Sequence, residues 1–340
     1  VFSDNPKVYE KQWRAAELAA GRDANICRRD LEAEESADYV IAELSDPSRG
    51  ASGEVYYALY KAKKPCLMVY KKGTLESAMF LQNEHPLLTV GEYETHSGLE
   101  KHIDDFFYFP EQQGRIFTID GGDGGGKETQ TRLLVERLQK DGYPVKTLDF
   151  PHDTALYGGL IRELLAGKHG SLKEVNPLFF ASLYAANRHD MKPIIDYWIS
   201  KGQNVILDRY VEANWGHQAS KLHTDDERHK VIHELQTLEW DWLGLPKSYK
   251  VLYLDLPIDY AETAMKNDEK RVMDIHEKDI SYKEQVRRTF LWCAREFKNW
   301  QVFDCLNPQG KRYTPEELHE QIYNKLRPEL VNQGDERLIF

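Results

Sequence analysis

A lysine behind a run of glycines is a phosphate-binding arrangement, and Gly121-Gly122-Asp123-Gly124-Gly125-Gly126-Lys127-Glu128-Thr129 has that form, with the spacing Gly-x4-Gly-Lys from Gly121 to Lys127. Glycines let backbone N–H groups close around phosphate oxygens, a following helix adds the partial positive charge of its N-terminus, and Lys127 supplies a mobile full charge. One position departs from the pattern. The residue after the lysine, normally a magnesium-ligating Ser or Thr, is Glu128. The flanks are what such a loop needs and a flexible linker lacks: the apolar run Arg115–Ile119 reads as a buried strand, and Thr131–Leu138 has the apolar spacing of a helix.

Elements that position this chemistry follow in order. Tyr143–Asp149 reads as a strand leading into Phe150-Pro151-His152-Asp153, Gly202–Leu207 as one leading into Asp208-Arg209-Tyr210, and Lys250–Asp255 as another. Short apolar runs that end in polar residues, joined by long helical segments, predict a parallel sheet whose C-terminal edge holds ligands. Before them, Pro6–Ala20 and Asn25–Glu35 favour helix, Tyr39–Leu44 reads as a strand ending in the turn-rich Ser45–Gly50, a helix is expected over Gly53–Lys63, and Pro65–Tyr70 is another strand. This second alternation predicts a smaller parallel α/β layer with a candidate site between Ser45 and Glu54. Leu99–Tyr108 reads as a closing amphipathic helix, and Phe109–Gly114 as a short polar connection. The expected organisation is α/β with two parallel-sheet domains, residues 1–110 and 111–340.

The whole chain bounds the partners. Its 340 residues carry 45 basic and 56 acidic side chains for a net charge of −11, which argues against a general nucleic-acid binder and leaves room for local basic pockets. The four cysteines, Cys27, Cys66, Cys293 and Cys305, lack metal-finger spacing and are expected as reduced cytosolic thiols. No apolar run approaches the ~18 residues of a membrane span. A cytoplasmic location is expected, with organelle targeting left open because the sequence opens on Val1.

Two resemblances sharpen this reading. The segment Ala37–Gly50 with Glu54 beyond it resembles the nucleoside 2-deoxyribosyltransferases, which are flavodoxin-like, and within them the 2'-deoxynucleoside 5'-phosphate N-hydrolases. That likeness implies Glu54 as nucleophile at the anomeric carbon, and Asp30, 24 residues earlier, as the acid that assists the leaving base or orients the nucleophile. It also implies that Ser48 and Ser77, the latter in Ser77-Ala78-Met79, hold a 5'-phosphate. Breaking an N-glycosidic bond builds oxocarbenium character that a carboxylate stabilises or captures. The family's first strand ends in a Gly-Ser or Gly-Pro loop. This sequence opens at Val1, past the expected place of that loop, with no glycine before Gly21, so either segments are missing from it or this half is a degenerate relative. A non-catalytic binding or dimerisation module is the alternative for this half.

Residues 114–328 resemble the thymidylate kinases, with Gly-x-Asp-Gly-x-Gly-Lys-x-Thr-Gln, Asp149-Phe150-Pro151, Tyr184–Arg188, Asp208-Arg209-Tyr210, Gly216–Lys221 and Asp274–Asp279 in family order. The resemblance implies ATP with Mg2+ as cofactor, dTMP or another deoxynucleoside monophosphate as acceptor, and a homodimer. By position, Gly121, Gly124, Gly125, Gly126, Lys127, Glu128 and Thr129 would hold the ATP phosphates, and Asp123 the nucleotide sugar or the magnesium shell. Asp208 would sit at the metal, with Glu128 or Thr129 sharing that task, and Arg209 would grip the monophosphate. Phe150, Tyr184 as the stacking aromatic, Arg188 at the thymine edge and Gln218 would form the acceptor pocket, and Lys266, Lys270 and Arg271 the lid. The arginine that commonly follows Phe-Pro is replaced by His152 and Asp153. A carboxylate near that strand end is the general base of nucleoside kinases, so a deoxynucleoside kinase is the enzyme alternative.

Overall fold

The computed structural model describes residues 23–46, 49–74, 81–169, 176–260 and 280–331. The chain divides into two compact units, Val1–Tyr108 and Phe109–Phe340. Both sheets are parallel throughout, as the alternation of apolar strands and helices requires.

In the first unit, helix α1 (Asp23–Ser36) leads to β1 (Val40–Glu43), α2 (Arg49–Tyr60) to β2 (Cys66–Lys71), and β3 (Leu88–Tyr93) to α3 (His96–Phe106). The sheet order is β1-β2-β3, so β2 is central and its Cys66–Val69 run is fully buried. Val55, Ala58 and Leu59 of α2 and Phe106 of α3 complete this core. Thr95 caps α3 by accepting from the Gly98 N–H at 3.2 Å. Strand β3 is not announced by its sequence. Leu88-Thr-Val-Gly-Glu-Tyr93 lies at the sheet edge with only Gly91 fully buried, so it carries little apolar periodicity.

The second unit holds a five-stranded sheet, β5-β6-β4-β7-β8. Its strands are β4 (Ile116–Gly121), β5 (Val145–Asp149), β6 (Asn204–Asp208), β7 (Lys250–Asp255) and β8 (Trp300–Asp304). The last was also missing from the sequence reading, being short and following a helix closely. Around them run α4 (Lys127–Lys140), α5 (Gly158–Leu165), α6 (Pro177–Ser200), α7 (Val211–Ala219), α8 (Asp225–Gln236), α9 (Ile280–Glu296) and α10 (Pro315–Leu326). Asn176 starts α6 by accepting from the Leu178 and Phe179 N–H groups, with Pro177 at a first-turn position that needs no donor. Strand β4 is buried along its whole length between β6 and β7, and the connections run outward from it in both directions. A crevice therefore opens beyond its C-terminal end, where ligands bind in such sheets. Helix α7 lies so close to α9 that a Cβ at Gly216 would stand 2.2 Å from the Phe290 ring. Among the described residues no helix is long and apolar enough to cross a membrane.

Helix α7 buries Glu212 completely. Neither carboxyl oxygen has a hydrogen-bond partner, the nearby Ser248 hydroxyl being shared with Thr118 at 2.8 Å. Burial, with the charges of Glu239 and Asp120 adding to it, pushes this acid up to about 7 against the smaller opposing pull of its own backbone N–H and the nearby Ser248 hydroxyl, neither of which reaches bonding geometry. The folded state thus holds a proton that the unfolded chain releases from about pH 4.5. The contribution to stability is full below that value, declines as pH rises to about 7, and is lost above it. About 2.5 pH units at ~1.4 kcal/mol each is roughly 3.5 kcal/mol. Glu212→Gln should therefore be more stable than the parent at pH 8 and nearly equal at pH 4, as read by urea denaturation at both values.

Candidate active site

The turn after β4 is shaped by backbone that only glycine adopts easily: Gly124 has φ +73° and Gly126, at the helix N-cap, φ +88°. A Cβ at Gly125 would meet the Gly122 carbonyl at 2.9 Å, so the loop closes tightly on itself ahead of α4. Lys127, the first residue of that helix, folds back and donates from Nζ to the carbonyls of Gly121 at 3.0 Å and Gly122 at 3.1 Å. Arg312, near the start of α10, donates to the Gly124 carbonyl at 2.6 Å.

Three charges lock together beside the loop. Asp123 accepts from Arg209 Nη2 at 2.9 Å and stands 3.9 Å from Lys127 Nζ. Arg209 itself follows β6 with φ +63° and donates its backbone N–H to the Ile119 carbonyl at 2.9 Å, so it is held against the end of β4. Burial opposes its charge, but Asp123, Asp120 and Asp208 outweigh that and keep the guanidinium firmly protonated. Burial and the Arg209 charge push the Lys127 ammonium below the usual lysine range, against the pull of Asp123, Asp208 and Asp120.

Asp208 is raised by burial, with Asp149 and Glu128 adding to it and Lys127 and Arg209 opposing. Glu128 is exposed on the first turn of α4, yet its charge reaches Asp208. Asp120, which sequence reasoning passed over, is buried at the end of β4. Its Oδ1 accepts from the Gly121 N–H at 2.7 Å, while Oδ2 has no partner. Hard oxygen donors thus gather beside a glycine cradle and a lysine, which suits a nucleoside triphosphate carried with a hard divalent cation. Among the described residues no group of three or more His, Cys, Asp or Glu converges to hold a metal by itself. Magnesium commonly takes only one or two carboxylates, its remaining ligands being waters and substrate phosphates.

A second cluster of expected site residues lies along the end of β5 and α6. Phe150 is buried against Tyr210 with ring centroids 5.6 Å apart. Asn187 holds the next turn: its Oδ1 accepts from the His152 N–H at 2.8 Å, and its amide donates to the carbonyls of His152 and Leu156. Where the sequence lacks an arginine after Phe-Pro, α5 delivers one from nine residues beyond Asp153. Arg162 donates to Asp153 at 2.7 Å and to the Pro151 carbonyl at 3.2 Å. Asp149 is held below the usual carboxylate range, first by its 3.3 Å hydrogen bond with His152, and Arg162 contributes to the same effect. A carboxylate so stabilised is a weak base.

Tyr184 is half-buried, packs edge-on against Phe180 at 5.1 Å, and lies near enough to Arg209 to act on it electrostatically. Arg188 is not at an open edge. It is 1 % exposed and makes a two-pronged ion pair with Glu239, at 2.6 and 2.8 Å, and a third bond to the Tyr210 carbonyl. A π-helix, Thr237–Trp242, carries Glu239 into the core, where Asn214 also donates to it at 2.9 Å. Gln218 is buried and accepts from Lys221 Nζ at 2.9 Å. Thr129 is half-buried on α4. The expected lid residues Lys266, Lys270 and Arg271 lie outside the described residues, as do Ser48 and Ser77 of the first unit. In that first unit Asp30 on α1 and Glu54 on α2 both act electrostatically on Glu34, a buried acid that the sequence reading did not single out.

Residues 119–312 match the family model described as thymidylate kinase. The matched span leaves the first unit outside it. Similar curated proteins are the thymidylate kinase of Exiguobacterium sp., 29% identical over 216 residues that make up 61% of this chain and 97% of that one. Another is that of Fervidobacterium nodosum, 30% identical over 60% of this chain and 94% of the relative. A probable thymidylate kinase of Pyrococcus abyssi is 27% identical over 64% of this chain and 98% of its own length. Through residues 119–312, the chain belongs to the thymidylate kinase family.

Proposed function

We propose that the second unit transfers the γ-phosphoryl group of ATP to dTMP, giving dTDP, and that the first unit hydrolyses the N-glycosidic bond of a deoxynucleoside 5'-monophosphate. The kinase reading is carried by the Lys127–Asp123–Arg209 lock at the glycine loop of a chain in the thymidylate kinase family. Lys127 and the loop N–H groups hold the donor phosphates, and Arg209 holds the acceptor phosphate beside Tyr184. Asp208 and Glu128 would hold a magnesium ion, with Thr129 on the same helix turn sharing that task. A magnesium ion carried with ATP would supply charge that offsets the phosphate oxygens. The acceptor oxygen of a monophosphate is already anionic and needs cations rather than a base. The lowered Asp149 and the arrival of Arg162 at the same strand end support a monophosphate over a nucleoside.

ADP release with dTMP, dUMP, dCMP and thymidine as acceptors tests this reading; thymidine as the best acceptor would overturn it. Arg162→Ala should raise KM for dTMP by about tenfold, the loss of one charge-assisted contact, with KM for ATP little changed. Steady-state kinetics with each substrate varied in turn reads the difference.

The glycosidase reading is supported by the grouping of Asp30 and Glu54, which the resemblance singles out, around Glu34. Release of free base from deoxynucleoside monophosphates by the parent chain but not by Glu54→Ala is expected. Equal release by both would leave the first unit a binding module.

A further inference from the structure

Between α9, the segment joining α7 to α8, and the edge strand β8 lies a cavity of about 760 Å³. That is a volume small organic ligands occupy. Helix α7 packs on both α8 and α9, and α9 on β8, so the walls are elements fixed to one another. Arg288, Trp292 and Arg295 stand four and then three residues apart on α9 and form one stripe along the cavity.

The lining is one-sided in charge. Lys221, His223, Arg228, Arg288 and Arg295 line it and, among the described residues, no carboxylate does, in a chain whose net charge is −11. Two of the cations have acidic partners outside the lining: Arg228 donates to Asp225 at 2.8 Å and Arg288 to Glu284 at 2.9 Å. Lys221 donates to the neutral side chain of Gln218 at 2.9 Å, and Arg295 makes no ion pair among the described residues. Arg228 is held further by a 3.3 Å bond to the Leu222 carbonyl and stands 5.8 Å over the Trp292 ring. Its buried Nε–H nonetheless has no acceptor among the described residues.

Cations that served solubility alone would be interspersed with acids on open faces. Gathered around a cavity they repel one another, and a bound anion relieves that repulsion and satisfies the spare N–H donors. Leu222, Leu291 and Val302 supply apolar wall between them. Charge and apolar surface in one cavity suit a ligand with a polyanionic end and an organic body.

We propose that this cavity binds a small organic polyphosphate, of the nucleoside triphosphate kind, at a site separate from the glycine loop. The phosphate chain lies against Arg288, Arg295 and Lys221, since guanidinium groups match phosphate oxygens in pairs, and the organic body lies against the apolar wall. Helix α7, nine residues and so about 14 Å long, runs between this cavity and Arg209, which precedes it. A condensed phosphate chain occurs both in nucleotides and as inorganic polyphosphate, and the test separates the two.

Isothermal titration calorimetry of the full chain, with ATP and with inorganic tripolyphosphate and without magnesium, reads the binding. One binding event should persist in Lys127→Ala and weaken by about 10²-fold in Arg288→Gln/Arg295→Gln, roughly tenfold for each charge-assisted contact. Lys221→Gln should weaken the same event by about tenfold. Lys140→Gln/Lys325→Gln, which removes two exposed charges from α4 and α10, should leave it near parental. ATP bound about tenfold more tightly than tripolyphosphate assigns the site to nucleotides, and equal binding assigns it to the bare phosphate chain; both support the site. The absence of any event sensitive to the double arginine variant, or an equal loss in the Lys140→Gln/Lys325→Gln control, would overturn it. Arg288 and Arg295 are exposed, so a thermal melt of the double variant should stay near the parent. If that melt falls, an event unchanged in Lys221→Gln overturns the proposal by itself.

Discussion

Arg209→Ala is expected to lower kcat/KM for dTMP phosphorylation by about 10³-fold, at the upper end of what one preorganised charged donor contributes in a water-poor site. The guanidinium is placed by backbone rather than by side-chain freedom: φ +63° and the 2.9 Å bond to the Ile119 carbonyl hold the residue against β4. Its side chain donates to Asp123 at 2.9 Å. An incoming phosphate therefore exchanges one anion for another at a position already built for it. Removing the arginine leaves the Lys127 ammonium, 3.9 Å from Asp123, as the nearby cation, so the lysine is drawn toward the aspartate and away from phosphate. Both effects slow the reaction, while the melting temperature should change little because Arg209 is partly exposed. Steady-state kinetics together with a thermal melt checks the two halves of this expectation. A fall in activity matched by a fall in folded fraction would refute it.

The second large effect is on stability. Glu239→Ala removes one partner of an ion pair in which Arg188 is 1 % and Glu239 0 % exposed, and it strands a guanidinium in the core. Breaking such a pair from one side costs about 3–5 kcal/mol, because the remaining charge keeps its desolvation penalty without its compensation. Asn214 loses its acceptor as well, since its amide donates to the same carboxylate. The double change Arg188→Met with Glu239→Leu should recover most of the loss, as apolar side chains of similar size replace buried pairs at little cost. Guanidinium chloride denaturation of the two variants reads this directly. Parental stability in Glu239→Ala would mean that the pair is not what holds α6 to the π-helix.

That same pair marks a limit of sequence reading. Arg188 was expected at the edge of the base because a local motif put it there, four residues after Tyr184. Its actual partner lies 51 residues further along the chain and reaches it only through a π-helix. If it also serves the base, it does so from a buried, preorganised position, with its fork committed to Glu239. Arg162 shows the converse. The gap after Phe-Pro read as a missing cation, yet a helix beginning several residues later supplies one to the Pro151 carbonyl. Spacing within one turn or one strand end was informative in both cases; the identity of a partner from another element was not. Strands β3 and β8 were missed for a related reason, since each lies at the edge of its sheet and lacks the continuous apolar run of β2 or β4.

By itself the sequence determined the two parallel α/β layers, the phosphate loop and the family of the second unit. Each of these is written in short-range patterns: alternating apolar runs, glycines that must take positive φ, a lysine at fixed spacing. The tertiary structure alone decided which charges meet. It put Asp123 between Lys127 and Arg209, sealed Arg188 against Glu239, and brought Arg162 to the end of β5. The physical reason is that a side chain's protonation and partners follow from burial and from neighbours across elements, and neither is encoded in the residues immediately beside it.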